Sequence, residues 1–359
     1  MGKKSIAIVI KCLLGNGAEK VVQQQSSLFH KYGHDVHIFC FTDIQEIPIN
    51  ENVPIHIFPV NRFKWLPKSL RKHLTASRLD LFIISKMGTP DLVLSNLNAA
   101  DRILCLSKLK VALLHHMHLS TFYLKGLNPE DLTKKLEKFD TTYGQRKSIA
   151  VSKGVCDDIR KYFPKWDIQT IYNPLDLDYV KSNAQQHVDD TPSQYLLHVG
   201  SFTKVKRHDI LLQAYALSEQ TLPLLLIGKG PLEPEIRSLI SQLGLEKKVT
   251  LLGFKTNPYP YISRAHGLIV SSQSEALPTV ILEAIALNTP VISTDCPCGP
   301  AEILPAPNLI PVASPKAMAI LMNELSSNPQ NFLSEAPTEF AEQHIVEKYL
   351  NIFENTIPS

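Results

Sequence analysis

Two successive series of short apolar runs, each run parted from the next by a stretch of helical period, constrain this chain more than any other feature. In the first series the run 6–10 leads through Gly15, Asn16 and Gly17 into a helical stretch over 18–32, which Gly33 ends before the run 36–41. Runs at 55–58, 92–94, 111–114, 149–151 and 168–171 follow, and Ser152 is placed to cap a helix extending to Phe163. A second series starts at 196–199 and continues with 222–227, 249–252, 267–270 and 290–293, with helical stretches at 209–218, 233–243 and 280–287. Runs so short and so uniformly apolar suit strands buried on both faces, and strand–helix alternation joins such strands in parallel. The fold class is therefore α/β, with two Rossmann-like doubly wound sheets.

The polar stretch 182–194 has almost nothing to bury and reads as the linker between the series. The expected division is an N-terminal domain over 1–182, a C-terminal domain over 183–338, and a C-terminal helical segment, 339–359, that crosses back to the first domain. In that segment Ala341, Ile345, Tyr349 and Ile352 share one face. A chain of 359 residues is also too long for one ordinary core, which favours two domains of roughly 150–200 residues.

With 44% hydrophobic and 20% charged residues, disordered and fibrous classes are excluded. No apolar run approaches the roughly 20 residues of a membrane span. Lys3 and Lys4 before the run 6–10 mimic a signal peptide, but Lys11 interrupts the run, and a first buried strand is expected. Cys12, Cys40 and Cys105 lie in or beside apolar runs, as reduced, buried thiols of a cytoplasmic protein do. Charge is uneven. Residues 1–184 hold 26 Lys and Arg against 17 Asp and Glu, whereas residues 185–359 hold 11 against 17, so the halves face different partners.

The chemistry concentrates in 274–284, Ser-Glu-Ala-Leu-Pro-Thr-Val-Ile-Leu-Glu-Ala. Glu275 precedes a strand-to-helix turn, Leu277 lies at the turn, and Glu283 sits inside the helix on an otherwise apolar face. Pro278 suits the first turn, where its missing amide strands nothing. The amides of Thr279 and Val280 then point out of a positive helix end, ready for a phosphate. Two carboxylates so placed can hold sugar hydroxyls at either end of a nucleotide sugar. The alternative is a helix carrying two solvated glutamates.

This stretch resembles the E-x7-E element of the retaining glycosyltransferases of family 4, the group 1 enzymes of bacterial lipopolysaccharide and capsule assembly. Their fold is GT-B, two Rossmann-like lobes facing a cleft. The resemblance extends in order through His198-Val199-Gly200 to Lys206, Ile227-Gly228-Lys229-Gly230-Pro231-Leu232, Leu252-Gly253-Phe254 and Gly299-Pro300-Ala301-Glu302. Weaker matches are Asn16-Gly17-Ala18-Glu19, Val151-Ser152-Lys153-Gly154 and Tyr172-Asn173-Pro174. The resemblance implies a nucleotide-sugar donor (UDP-sugar first, GDP-sugar second), a glycan or lipid-linked acceptor, retention of anomeric configuration, and no metal or other cofactor.

It further implies that Glu275 orients the donor sugar and Glu283 holds the ribose. Lys206 neutralises the diphosphate with the amides of Thr279 and Val280, and the main chain at Gly17 approaches the phosphates. Where the family pairs that lysine with an arginine, this chain has Ser201, and Lys204 or Arg207 would have to compensate. A histidine at the end of an N-lobe strand should face the donor sugar; His116 is assigned, with His115 and His118 as alternatives. Glu19 is expected to stabilise a helix start. Other readings on the same fold are a sugar-nucleotide epimerase, a phosphorylase, or a non-catalytic partner subunit.

Three features are read as decoys. His116 and His118 would share a side of an extended segment with no carboxylate or thiolate beside them, which disfavours a metal. Asp176-Leu177-Asp178 spells a D-x-D but follows the hinge-like Asn173-Pro174 and no donor strand. Cys296 and Cys298 lack a second pair. The run 62–78 is different: Arg62, Lys64, Lys68, Arg71, Lys72 and Arg78 occur with no acid, interleaved with Phe63, Trp65, Leu66, Leu70 and Leu74. That composition suits a segment resting on an anionic membrane, on the inner face of the cytoplasmic membrane. A basic helix packing its leucines on its own sheet is the alternative. Nucleic acid is not expected, because no binding module accompanies the charge.

Overall fold

The computed structural model describes residues 2–60, 67–188 and 191–354. The chain forms two compact units, Met1–Asp176 with Glu339–Ser359, and Leu177–Thr338.

The first unit is a seven-stranded, all-parallel sheet. Its strands are β1 (Ser5–Ile10), β2 (Asp35–Cys40), β3 (Ile55–Ile57), β4 (Leu92–Asn96), β5 (Val111–His115), β6 (Lys147–Ala150) and β7 (Ile168–Thr170), ordered β3-β2-β1-β4-β5-β6-β7. β1 is buried along almost its whole length and β4 entirely, as strands covered by helices on both faces must be. The order reverses between β1 and β4. In open sheets of this kind that reversal, at the carboxyl ends of the strands, is where a crevice opens and ligands bind. Ser152 caps the helix Lys153–Tyr162 by accepting from the Val155 amide at 3.2 Å.

The C-terminal segment closes this same unit. A short turn, Thr338–Phe340, precedes the helix Glu342–Leu350. Tyr349 packs edge-on against Phe29, 5.6 Å between centroids, and its hydroxyl accepts from the Gln25 amide at 2.9 Å. Lys31 pairs with Glu342 at 2.8 Å, and Phe340 stacks on Tyr172.

The helix Lys68–Met87 begins within the basic run, of which 61–66 lie outside the described residues. It buries Ala76, Leu79 and Ile83 but exposes Leu70, Leu74, Leu81 and Ile84. The leucines of the basic stretch that can be placed, Leu70 and Leu74, are thus on the outside.

In the second unit β8 (Leu196–Val199), β9 (Leu224–Ile227), β10 (Val249–Gly253), β11 (Gly267–Val270), β12 (Val291–Thr294) and β13 (Leu309–Ile310) form a parallel sheet ordered β10-β9-β8-β11-β12-β13. Its core includes Phe202, Leu211, Tyr215, Leu226, Ile269 and Ile292. Here the order reverses between β8 and β11.

The units part between Asp176 and Leu177, ahead of the polar stretch that composition singles out. The helix Leu177–Ala184 belongs to the second unit, where Val180 is buried and Tyr179 meets Tyr259 edge-on. Hydrogen bonds hold the polar residues that follow: the Asn257 amide donates to Asn183 O and to Gln186 Oε1, and Arg264 donates to Val188 O. Backbone and amide groups do there what apolar burial does elsewhere.

Candidate functional site

The reversal between β8 and β11 brings together two loops that composition alone could not pair. The turn after β8 carries Gly200, Ser201 and Lys206, and the loop after β11 carries Glu275. Their side chains meet: Lys206 Nζ lies 2.6 Å from Glu275 Oε1, both partly buried. The loops are also stitched through the backbone, with Gln273 N donating to Val205 O at 2.7 Å and Ser271 Oγ to Lys206 O at 2.7 Å. Ser272 Oγ donates to the same Glu275 oxygen at 2.6 Å, which fixes the carboxylate's rotamer.

Glycines shape this surface by what they keep away. A Cβ on Gly200 would lie 3.1 Å from His198 Nε2 and 3.5 Å from the Lys206 stem, so the glycine lets the lysine lie across the turn. Gly299, at φ 85°, rests on Leu277 and Pro278; a Cβ there would reach 2.5 Å from Pro278 Cδ.

The helix after the loop runs Thr279–Ala286. Pro278 is its N-cap and not its first helical residue, and no side chain caps the helix. The partly exposed Thr279 and Val280 therefore begin a helix whose positive end is open. Leu277 is buried, so any role toward a ligand falls to its backbone. Glu283 is also buried, the one buried carboxylate among the described residues of the second unit.

Ser201 is partly exposed, with Oγ 3.3 Å from Thr203 Oγ1. Of the two residues expected to compensate for it, Arg207 is held by Asp209 through contacts of 2.8–3.2 Å, while Lys204 is exposed. Lys229 enters from another direction. Its carbonyl accepts from Phe202 N at 2.9 Å, and its ammonium lies 4.4 Å from the centre of the Phe254 ring. The two turns touch backbone to backbone, since a Cβ on Gly230 would sit 2.5 Å from Phe202 O.

The first unit presents its own set at the carboxyl ends of β1, β4 and β5. Gly15 has φ 85°, which favours glycine. Gly17 starts the helix Gly17–Lys31, and a Cβ there would meet nothing within 4 Å, so its main chain borders open space. Glu19, expected to stabilise this helix start, lies in its first turn and is buried, and burial raises its pKa above the usual carboxylate range.

The three histidines have different partners. His115 Nε2 meets Ser148 Oγ at 3.1 Å, and its ring packs 4.8 Å from that of Tyr143. His118 Nδ1 lies 2.9 Å from Thr121 Oγ1 and its Nε2 3.5 Å from Asp158. His116 Nε2 lies 2.8 Å from Asn96 Oδ1. Burial drives the pKa of His116 down to about 4 and that of His115 down to about 3, so both imidazoles are neutral at pH 7. They border a cavity of about 30 Å³, which holds a water or two but no sugar ring. Asp101, at the same cavity, accepts from Ser95 Oγ at 2.7 Å and Tyr143 OH at 2.8 Å, and burial pushes its pKa up to about 7.

Comparison with known proteins places these loops. The family model described as Glycosyltransferase Family 4 matches residues 15–179, and that described as Glycosyl transferases group 1 matches residues 180–344. This chain belongs to the family 4, group 1 glycosyltransferases. It is 34% identical over 155 residues to the N-acetylgalactosamine-N,N'-diacetylbacillosaminyl-diphospho-undecaprenol 4-alpha-N-acetylgalactosaminyltransferase of Campylobacter jejuni, covering 42% of each chain. It is 24% identical over 303 residues to an uncharacterized glycosyltransferase of Haemophilus influenzae, covering 80% of this chain and 79% of that one. The chain spans less than half the length of the curated relatives it matches at 32–36% identity. The GT-B fold is shared with Anabaena HepE in complex with UDP and glucose (TM-score 0.73, 16% identity, 98% of this chain and 97% of that one). It is shared equally with S. aureus TarM (TM-score 0.76, 13% identity, 98% and 100%).

Within this chain, spacing pointed to Glu275 and the open helix start and the family resemblance to Lys206, and the fold joins them at one reversal. Two residues gave no signal of their own: Ser272 beneath Glu275 in the second unit, and Asn96 against His116 in the first. The D-x-D has another use: Asp176 accepts from Ser27 Oγ at 2.6 Å, and its amide donates to Gln24 Oε1 at 2.7 Å, both within the first unit. Among the described residues no helix is long and apolar enough to cross a membrane.

Proposed function

We propose that this family 4 glycosyltransferase moves a hexosyl or N-acetylhexosaminyl group from a UDP-sugar to a glycan or lipid-linked acceptor, with retention and without a metal. The observation that carries this is the Lys206–Glu275 pair at the β8/β11 reversal beside the open start of Thr279–Ala286. A cation, two outward amides and a carboxylate at one crevice match a sugar diphosphate, whose leaving group gains charge as the bond breaks. The bond from the anomeric carbon to the diphosphate breaks, the acceptor oxygen bonds to that carbon, and the acceptor's proton leaves with the diphosphate. Glu275 is assigned to the sugar hydroxyls and Glu283 to the ribose. Lys206, Thr279 and Val280 are assigned to the diphosphate, as are the main chain of Leu277 and that of Gly17, and Ser201 stands where the family pairs the lysine with an arginine. His116 is assigned to the donor sugar, because His115 and His118 are occupied in packing and loop anchoring.

Support for the donor comes from Anabaena HepE, solved with UDP and glucose, and for the acceptor from the diphospho-undecaprenol in the C. jejuni enzyme's name. The exposed Leu70, Leu74, Leu81 and Ile84 on a helix that begins in the basic run support docking on an anionic bilayer.

A thermal-shift screen of UDP- and GDP-sugars tests the donor, since a bound ligand stabilises in proportion to its occupancy. Transfer with the best donor should continue in saturating EDTA and give product of unchanged anomeric configuration. Loss of transfer to EDTA with rescue by manganese or magnesium sinks the metal-free reading. Donor binding with no transfer to any acceptor favours the non-catalytic partner, a reading that Ser201 supports.

A further inference from the structure

We propose that Asn96 is a positioning residue of the transfer site, fixing the tautomer of His116 and offering a hydrogen-bond donor of its own to an uncharged oxygen of the sugar substrate. The inference rests on the assignment of His116 to that substrate. Asn96 is the last residue of β4, the strand at the sheet reversal of the first unit, and it is fully buried. Its Oδ1 lies 2.8 Å from His116 Nε2. A carboxamide oxygen has no hydrogen to give, so the shared hydrogen belongs to Nε2 and Nδ1 is left as a lone pair.

Two further observations set this turn apart. The residue after Asn96 is Leu97 at φ 69°, where a branched side chain is strained, and it starts the helix Leu97–Leu104 directly. Strain of that kind persists where the surroundings hold a residue in place for a purpose. Asn96 Nδ2, moreover, is buried and has no hydrogen-bond partner among the described residues. Leaving a buried amide hydrogen unpaired is unfavourable, and a substrate oxygen would relieve it. The strain of Leu97 and the unpaired donor of Asn96 thus meet at the turn that orients His116. Asp101, by contrast, has its carboxylate answered on both oxygens.

The test reads His116 directly. With ¹³C,¹⁵N-labelled histidine in the full chain, and the His116 signals identified by their loss in His116→Gln, the ring at pH 7.5 should be the neutral Nε2–H tautomer. Asn96→Asp keeps the acceptor and should keep the hydrogen on Nε2. Asn96→Leu, similar in volume, should release the tautomer preference. Transfer by Asn96→Leu should fall ~10- to 10²-fold in kcat, with the donor KM within about threefold, as for a lost orienting contact. Asn96→Asp should recover part of that loss. An Nδ1–H tautomer in the wild type overturns the proposal, because it means that the amide is turned the other way. So does an Asn96→Leu variant with unchanged tautomer and kcat. If Asn96→Leu does not fold, the wild-type tautomer and Asn96→Asp decide. The tautomer needs no turnover, so a wild type inactive on every donor refutes the assigned function and leaves the Asn96–His116 geometry to be judged by the spectrum.

Discussion

Glu275→Gln separates two effects that most site substitutions confound. In the ligand-free protein Lys206 and Glu275 are 2.6 Å apart, with side chains 22% and 12% exposed. An ion pair so placed, screened but not fully wet, is worth about 1 kcal/mol. A diphosphate that recruits Lys206 must compete with Glu275 for it. Glutamine keeps the shape of the side chain and an oxygen that can accept from Ser272 Oγ, but removes the competing charge. UDP should therefore bind about fivefold tighter, the equivalent of that 1 kcal/mol. Transfer should move the opposite way. If Glu275 orients the sugar as charge develops, kcat/KM should fall at least ~10²-fold, or about 2.7 kcal/mol of transition-state stabilisation. Thermal stability should drop by only a few degrees, since about 1 kcal/mol shifts a unit of this size by roughly 2–4 °C. Calorimetric titration with UDP, alongside steady-state transfer on the same preparation, measures both. Weaker UDP binding would show that Glu275 presents Lys206 to the diphosphate instead of competing for it. Normal transfer would remove Glu275 from the site.

Other expectations follow from the same geometry. Glu283→Ala should leave a folded protein with transfer reduced at least ~10²-fold, largely through donor KM, because a lost ribose contact weakens ground and transition states alike; unchanged donor KM and kcat would clear Glu283 of any role. His198 and His208 are buried, and burial takes their pKa values down to about 4 and about 2. Below pH ~6.5 the unfolded chain binds protons that the folded chain refuses, so stability is present above that pH and falls on acidification toward pH 4, by about 1 kcal/mol per histidine per pH unit. His208→Phe, which can keep the edge-on contact with Phe202, should flatten that slope by about one proton in urea titrations; an unaltered slope would place the acid lability elsewhere. Wild type should pellet with anionic liposomes at low salt and be released at high salt, whereas the chain with Lys64, Lys68, Arg71 and Lys72 changed to Ser should stay in solution in both; equal behaviour would leave a soluble enzyme.

How much was legible depended on whether the governing forces were local. The apolar runs became strands within a residue or two, because a segment buried on both faces shows that in its composition. Ser152 capped its helix for an equally local reason. The helices Leu97–Leu104 and Pro129–Tyr143 stayed hidden, one entered through a strained leucine and the other mostly polar. The two-residue β13 is too short to carry a period.

Alternation, the E-x7-E spacing and the ordered turns were enough to determine the α/β class, the two doubly wound sheets and the family. Sequence alone also marked Glu275, Glu283 and the open helix start as candidates, because each is a property of neighbouring residues, and the family resemblance added Lys206. The tertiary structure decided which of these touch. Lys206 and Glu275 are 69 positions apart and meet only because β8 and β11 are adjacent where the strand order reverses. In the same way it put Asn96 against His116, buried Glu19, tied Asp176 to Ser27, and left Leu70 and Leu74 outside. Strand order and helix docking are settled by the free energy of packing whole elements together, a sum over many distant residues that no local pattern records.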